Sequence, residues 1–151
     1  MAEETYNGTV DCGRGTIRSE ATAAGLPMGT APYTVLLEFK CSGAPGSVTL
    51  YSWGSASDSS INALAFCDDI RLTHYWWYND LNWHYVSSGM TIADVCDGAW
   101  HTTGTQFDGT TRRLFFDGAT VASDHPSGSH ADVNTNFCLG ARGAGNTRGF
   151  T

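Results

Sequence analysis

The run DGAWHTTGTQFDGTTRRLFFDG, residues 97–118, decides the fold class. Three Asp-Gly pairs punctuate it: Asp97-Gly98, Asp108-Gly109 and Asp117-Gly118. Glycine takes positive φ without a Cβ clash, and aspartate bonds locally to nearby backbone, so each pair marks a tight turn. Between the turns lie Trp100 to Phe107 and Arg112 to Phe116, both of strand length. In the second, Leu114 and Phe116 share a face, because side chains alternate along a strand. The loop Asp108-Gly109-Thr110 therefore joins two strands of a hairpin. Asp117-Gly118 then hands the chain to a further strand, Ala119 to Ser123.

The same reading extends upstream. In Tyr33 to Cys41, Val35, Leu37 and Phe39 alternate with Thr34, Glu38 and Lys40, and Leu36 alone breaks the polar set. This period of two predicts one buried and one solvated face. Pro32 stands just before it, where a strand tolerates proline. Ala44-Pro45-Gly46 is a turn signal, and Ser47 to Trp53 is expected to complete a hairpin with Tyr33 to Cys41. Asn62 to Cys67 reads as a strand, Asp68-Asp69 as a turn, and Ile70 to Tyr78 as an aromatic-rich strand. Asn79-Asp80 is another turn, and Trp83 to Val86 a short strand. Met90 to Val95 is too short to define a helix. Thr16 to Ser19 is a short first strand, and Phe137 to Ala141 the last visible one. Helical periodicity over ten or more residues is absent from the sequence, so the pattern predicts an all-β, two-sheet antiparallel sandwich. With no internal repeat or long linker, 151 residues make one domain.

Composition bounds the function. Hydrophobic residues make up 41% and charged residues 15%, enough apolar surface to offset ordering entropy. The formal net charge of -7 repels phosphate backbones, which argues against nucleic acid as a partner. The longest apolar stretches fall well short of the ~20 residues that span a bilayer, so membrane insertion is not expected. Cys12, Cys41, Cys67, Cys96 and Cys138 form an odd set without a Cys-x-x-Cys pair. One or two disulfides are open in an oxidising compartment, with the pairing undetermined.

Taken in order, the series Asp97-Gly98-Ala99-Trp100-His101, Phe107-Asp108-Gly109-Thr110, Leu114-Phe115-Phe116-Asp117-Gly118 and Phe137-Cys138-Leu139-Gly140-Ala141 resembles the laminin-G-like jelly rolls of the concanavalin A-like superfamily. Tyr51-Ser52-Trp53-Gly54 and Trp77-Tyr78-Asn79-Asp80-Leu81 look like its upstream elements. The resemblance covers residues 16–151, after an N-terminal extension at 1–15. It implies a jelly-roll sandwich in an extracellular or lumenal setting, although Met1-Ala2-Glu3-Glu4 opens no signal-peptide pattern. The family's final strand is expected to be lacking, because Gly149-Phe150-Thr151 stands where it begins. The edge so opened is covered by Thr5 to Val10, by a partner chain, or by residues beyond a fragment.

The fold hosts lectins, adhesion modules and glycanases, so the site must decide function. Glycoside hydrolysis needs two flanking carboxylates, and related glucanases carry Glu-x-Asp-x-Glu on one strand. Glu3, Glu4, Glu20 and Glu38 do not stand in that spacing. A Gly-x-Ser-x-Gly elbow is absent from the sequence, and no histidine pair has transition-metal spacing. The expectation is a non-catalytic recognition module.

Its candidate ligand-binding residues are Tyr75, Trp76, Trp77, Tyr78, Asn79, Asp80 and Trp83. On a strand, Tyr75 and Trp77 face one way and Trp76 and Tyr78 the other, so one pair enters the core and the other is free to stack on sugar rings. The resemblance also implies a possible Ca2+ site, with Asp68, Asp69 and Asp80 as candidate ligands and Asn79 and Asp94 nearby in the reading. Each serves equally well as a turn residue. Two partners follow: a glycan bound in lectin fashion, or another protein chain bound by a structural subunit through the same surface and its open sheet edge.

Overall fold

The computed structural model describes residues 25–44, 46–54, 61–68, 70–76, 79–128 and 137–140. The expected strand Thr16 to Ser19, the segment Thr5 to Val10 and the stop at Gly149 to Thr151 lie outside them. The elements run β1 (Tyr33–Ser42), β2 (Val48–Gly54), β3 (Ile61–Cys67), β4 (Arg71–Tyr75), β5 (Leu81–Trp83), a 3-10 turn (Tyr85–Ser88), α1 (Ile92–Val95), β6 (Asp97–Phe107), β7 (Arg112–Phe116), β8 (Ala119–Asp124) and β9 (Cys138–Leu139). They form a four-stranded sheet in the order β1-β6-β7-β8 and a five-stranded sheet in the order β5-β4-β3-β2-β9. Every pairing is antiparallel. The all-β sandwich expected from the alternation is therefore present.

Two local expectations are corrected. β1 and β2 do not form a hairpin: β1 pairs β6, while β2 pairs β3 and β9, so the turn after β1 carries the chain from one sheet to the other. The aromatic strand ends at Tyr75, and the region expected as Trp83 to Val86 divides between the end of β5 and the 3-10 turn.

Two of the three Asp-Gly pairs form the expected turns, whereas Asp97-Gly98 opens strand β6, with Gly98 at φ 86°. Phe116 faces Ala119, so Asp117 and Gly118 form a two-residue hairpin loop. Both take positive φ, 45° and 77°, the combination that matches strand twist. Asp117 is held there by its carboxylate, which accepts from the Thr102 N–H at 2.9 Å. Asp108 closes its own loop by accepting from the N–H groups of Thr110 and Thr111 at 3.0 and 2.8 Å.

The inner faces meet in an aromatic core. Tyr33 packs edge-on to Trp53 at 5.3 Å, Phe39 to Phe66 at 5.4 Å, and Trp83 lies 4.9 Å from Phe116. Each pair joins one sheet to the other and adds about 0.5–1.5 kcal/mol beyond its burial. A polar seam crosses the same core. Trp76 Nε1 donates to the Tyr33 hydroxyl at 3.1 Å, and Tyr33 also meets His74 Nε2 at 3.2 Å. His74 reaches Asn62 Oδ1 at 3.0 Å, and the hydroxyls of Tyr51 and Thr105 share a hydrogen bond. Burial pushes both tyrosine hydroxyls above their ordinary pKa, so they remain neutral donors.

Cys41 and Cys96 form a disulfide that ties the end of β1 to the residue preceding β6. Cys67 is a buried free thiol, Cys138 is buried, and Cys12 lies outside the described residues.

Candidate functional site

The outward face of the four-stranded sheet carries the candidate site. Alternation places Thr34, Leu36, Glu38 and Lys40 of β1 on that face, with Trp100, Thr102, Gly104 and Gln106 of β6 and Arg113 and Phe115 of β7. The register sets them in rows: Thr34 beside Gln106 and Arg113, Leu36 beside Gly104 and Phe115, Glu38 beside Thr102, and Lys40 beside Trp100.

Gly104 shapes this surface. A Cβ there would stand 2.2 Å from the Val35 carbonyl oxygen and 2.8 Å from a Leu36 methyl, so no larger residue fits without moving β1. A trough of about 570 Å³ lies on this face, lined by Thr34, Leu36, Glu38, Thr102, Gln106 and Phe115 among others. Beyond Thr102, Trp100 is 61% exposed, and Leu36 on the trough wall is 69% exposed.

Polar groups fix one end of the trough. Arg113 NH1 donates to Asp108 Oδ2 at 2.8 Å and to Gln106 Oε1 at 3.2 Å, and Gln106 Nε2 donates to Thr34 Oγ1 at 3.4 Å. The Thr111 N–H, the Arg113 guanidinium and the Thr110 N–H hold the Asp108 carboxyl down at about 2. That end therefore keeps its ion pair through the physiological range.

At the opposite end of the sheet, on its inward side, the motif residues Asp97, His101 and Asp117 converge. His101 Nδ1 bonds Asp117 Oδ2 at 2.8 Å and Nε2 bonds Asp97 Oδ1 at 3.2 Å, while the ring stacks on Phe116 at 5.3 Å. Burial pushes the imidazole pKa down, but the hydrogen bonds and charges of the two carboxylates outweigh it and raise it. Bonds from the Ala99 N–H and His101 lower the Asp97 pKa. Because the folded His101 pKa lies above the unfolded value, its stabilisation is full below that unfolded value and fades as pH rises through the folded one. Denaturant unfolding of the wild type and of His101→Gln should thus show a larger stability gap at pH 5.5 than at pH 8.5. A gap that widens with pH would contradict this charge arrangement.

Among the described residues, those expected to bind a ligand do not form one exposed platform. Trp76 and Trp83 are 2% and 6% exposed and belong to the core, because their rings fill the space between the sheets. This corrects the expectation that they offer a face to sugar. Tyr75 is half-buried, its hydroxyl 2.8 Å from Cys67 Sγ. Asn79 Nδ2 donates to the Ser127 carbonyl at 2.8 Å, which ties two loops together. Asp80 Oδ1 accepts from the Trp76 N–H at 3.3 Å. Trp77, Tyr78 and Asp69 lie outside the described residues.

The described calcium candidates do not fit one ion. Asp68 sits in the turn between β3 and β4, paired with Arg71 at 3.0 Å, and Asp80 lies past the other end of β4. Five residues of strand, roughly 17 Å, separate them. Asp94 is committed to the first turn of α1, bonding Thr91 N–H and hydroxyl at 2.7 Å. Among the described residues, no group of three or more His, Cys, Asp or Glu is placed to hold a metal ion.

The sequence pattern alone carries a signal for Trp100: Phe107, Thr105 and Thr103 share the inward face of their strand, and the same parity sends Trp100 outward.

The chain is a two-sheet antiparallel sandwich with an exposed tryptophan beside an open trough. A laminin-G-type family model described as the Concanavalin A-like lectin/glucanases superfamily matches residues 14–151, and the chain belongs to that family. Among solved structures it is similar to mouse laminin alpha1 chain, domains LG4-5, with a TM-score of 0.59 and 20% identity. That match covers 76% of this chain and 29% of the laminin chain, and it speaks to the fold alone. Among curated proteins none matches the sequence. Among the described residues, no helix is long and apolar enough to cross a membrane.

Proposed function

We propose that this chain is a non-catalytic carbohydrate-binding module that holds a glycan in the trough of its four-stranded sheet. The observation that carries the reading is Trp100, 61% exposed on the same face as Thr34, Glu38, Thr102 and Gln106. The indole covers the apolar C–H face of a pyranose, and the hydroxyl, amide and carboxylate groups satisfy the ring hydroxyls. Leu36 and Phe115 give the trough an apolar floor. Among the described residues, Glu38 is the one carboxylate lining the trough, whereas hydrolysis calls for a pair.

A second reading is supported by Leu36. An aliphatic side chain 69% exposed beside an exposed tryptophan also suits a protein interface. A glycan array probed with and without EDTA separates the two and tests calcium at once. Trp100→Ala is expected to weaken glycan binding at least tenfold, about 1.4 kcal/mol, while leaving the unfolding midpoint unchanged. Silence across the array, with a stable heteromeric complex in native mass analysis, would move the assignment to the protein interface.

A further inference from the structure

Glu38 is exposed on the outward face of β1 and lines the trough. Asp68, Asp108 and Asp124 each pair with an arginine, whereas Glu38 enters no ion pair among the described residues. Lys40, on the same face, stands opposite Trp100 and outside the trough lining. The groups around Glu38 deepen the negative potential. Glu38 faces Thr102 across the ladder, and beyond Thr102 the Asp117 carboxylate accepts from the Thr102 N–H at 2.9 Å. Asp117 and Asp97 share the single imidazole of His101, so that cluster stays net negative even with the ring protonated. At the far end of the trough, the Arg113 guanidinium is engaged by Asp108 at 2.8 Å. A surface dominated by one charge sign draws ligands of the other.

We propose that the glycan held in the trough carries a protonated amine, and that Glu38 selects it. This rests on the carbohydrate reading above and names the class of sugar. Register sets Trp100 diagonal to Glu38, since Glu38 faces Thr102 and Lys40 faces Trp100. Diagonal neighbours stand about 7–8 Å apart, within reach of aromatic and long side chains. A pyranose stacked on the indole therefore brings a ring amine to the carboxylate. The ammonium donates to Glu38 in a charge-assisted hydrogen bond, stronger than a bond from a neutral hydroxyl. The electron-rich face of the indole favours the same cation. An acetamide in place of the amine forfeits the charge, and an acidic sugar sets like charges together.

Titration calorimetry at about pH 6, where a sugar amine is charged, compares three short β-linked oligomers of one length: glucosamine, N-acetylglucosamine and glucose. They differ in one ring substituent, an amine, an acetamide or a hydroxyl. The glucosamine oligomer should bind roughly tenfold tighter than the other two. Glu38 is exposed, so its variants keep the fold. Glu38→Gln should bring the three oligomers to similar affinity, and Glu38→Lys should make the glucosamine oligomer the weakest. Lys40→Met should not reduce the preference. Equal binding of all three by the wild type overturns the amine selection and leaves the carbohydrate reading standing. A preference that survives Glu38→Gln overturns the role of Glu38. Binding to none of the three, with neutral or acidic glycans captured on the array, also overturns the amine selection. Silence across the whole array overturns the carbohydrate reading itself, and this inference with it.

Discussion

Replacing Asp124 by alanine is expected to cost about 3 kcal/mol, because it leaves a buried guanidinium without its counter-charge. Arg112 has a fully buried side chain, while Asp124 is 34% exposed. The pair is bidentate, Nε on Oδ1 and NH2 on Oδ2, and the guanidinium lies 4.8 Å over the Trp76 ring. Arg112 NH1 has no hydrogen-bond partner among the described residues, so this cation depends heavily on one carboxylate. The partial exposure of Asp124 lets water enter after its loss, which sets the cost at the lower end of the 3–5 kcal/mol seen when buried pairs are broken. Asp124→Asn should cost less, since an amide oxygen still accepts one bond. The double replacement Arg112→Met with Asp124→Leu should recover most of the loss, because it removes the charge along with its partner. Urea unfolding of the three variants checks this order. If Asp124→Ala proved neutral while the double variant was the most damaged, Arg112 would be acting through its packing rather than its charge.

That pair also shows what a sequence hides. Arg112 stands on the same parity as Leu114 and Phe116, so alternation sends it inward. Its acceptability there depends on Asp124, which register places opposite it on β8. Turn chemistry was readable because it is local: Asp108-Gly109 and Asp117-Gly118 state their own conformations. The turn after β1 was misread because a local signal reports that the chain bends and not which sheet it enters next. Parity in the aromatic run Tyr75 to Tyr78 reads past Tyr75, where β4 ends, and alternation alone does not say which face meets the second sheet. Trp76 and Trp83 in fact supply the volume that holds two sheets apart. Trp100 was hidden inside a motif that explained it as part of a strand. The close approach of β1 to Gly104 is a further fact that composition lacks, because only the pairing reveals it.

Reduction of the Cys41–Cys96 bond, or its replacement by two alanines, is the other large effect, expected at about 4 kcal/mol. The cysteines are 55 residues apart in sequence, and closing a loop of that length removes chain entropy from the unfolded state by roughly this amount at 25 °C. Both positions are buried, at 9% and 3% exposure, so alanine leaves small gaps and the measured loss is chiefly the cross-link. For a domain of this size the midpoint should fall by about 10 °C. Cys67 is buried and outside the disulfide, so a thiol reagent should leave it unmodified in the oxidised native state and reach it only on unfolding. The bond also bears on function through geometry. It pins the end of β1, where Ser42 faces Asp97, against the start of β6, the end of the sheet that carries Lys40 and Trp100. Loosening it should therefore weaken ligand binding at Trp100 before the fold is lost, measurable as a rise in dissociation constant under reductant well below the unfolding midpoint. Binding that survived reduction until global unfolding would show that β1 and β6 hold that end of the sheet by their ladder alone.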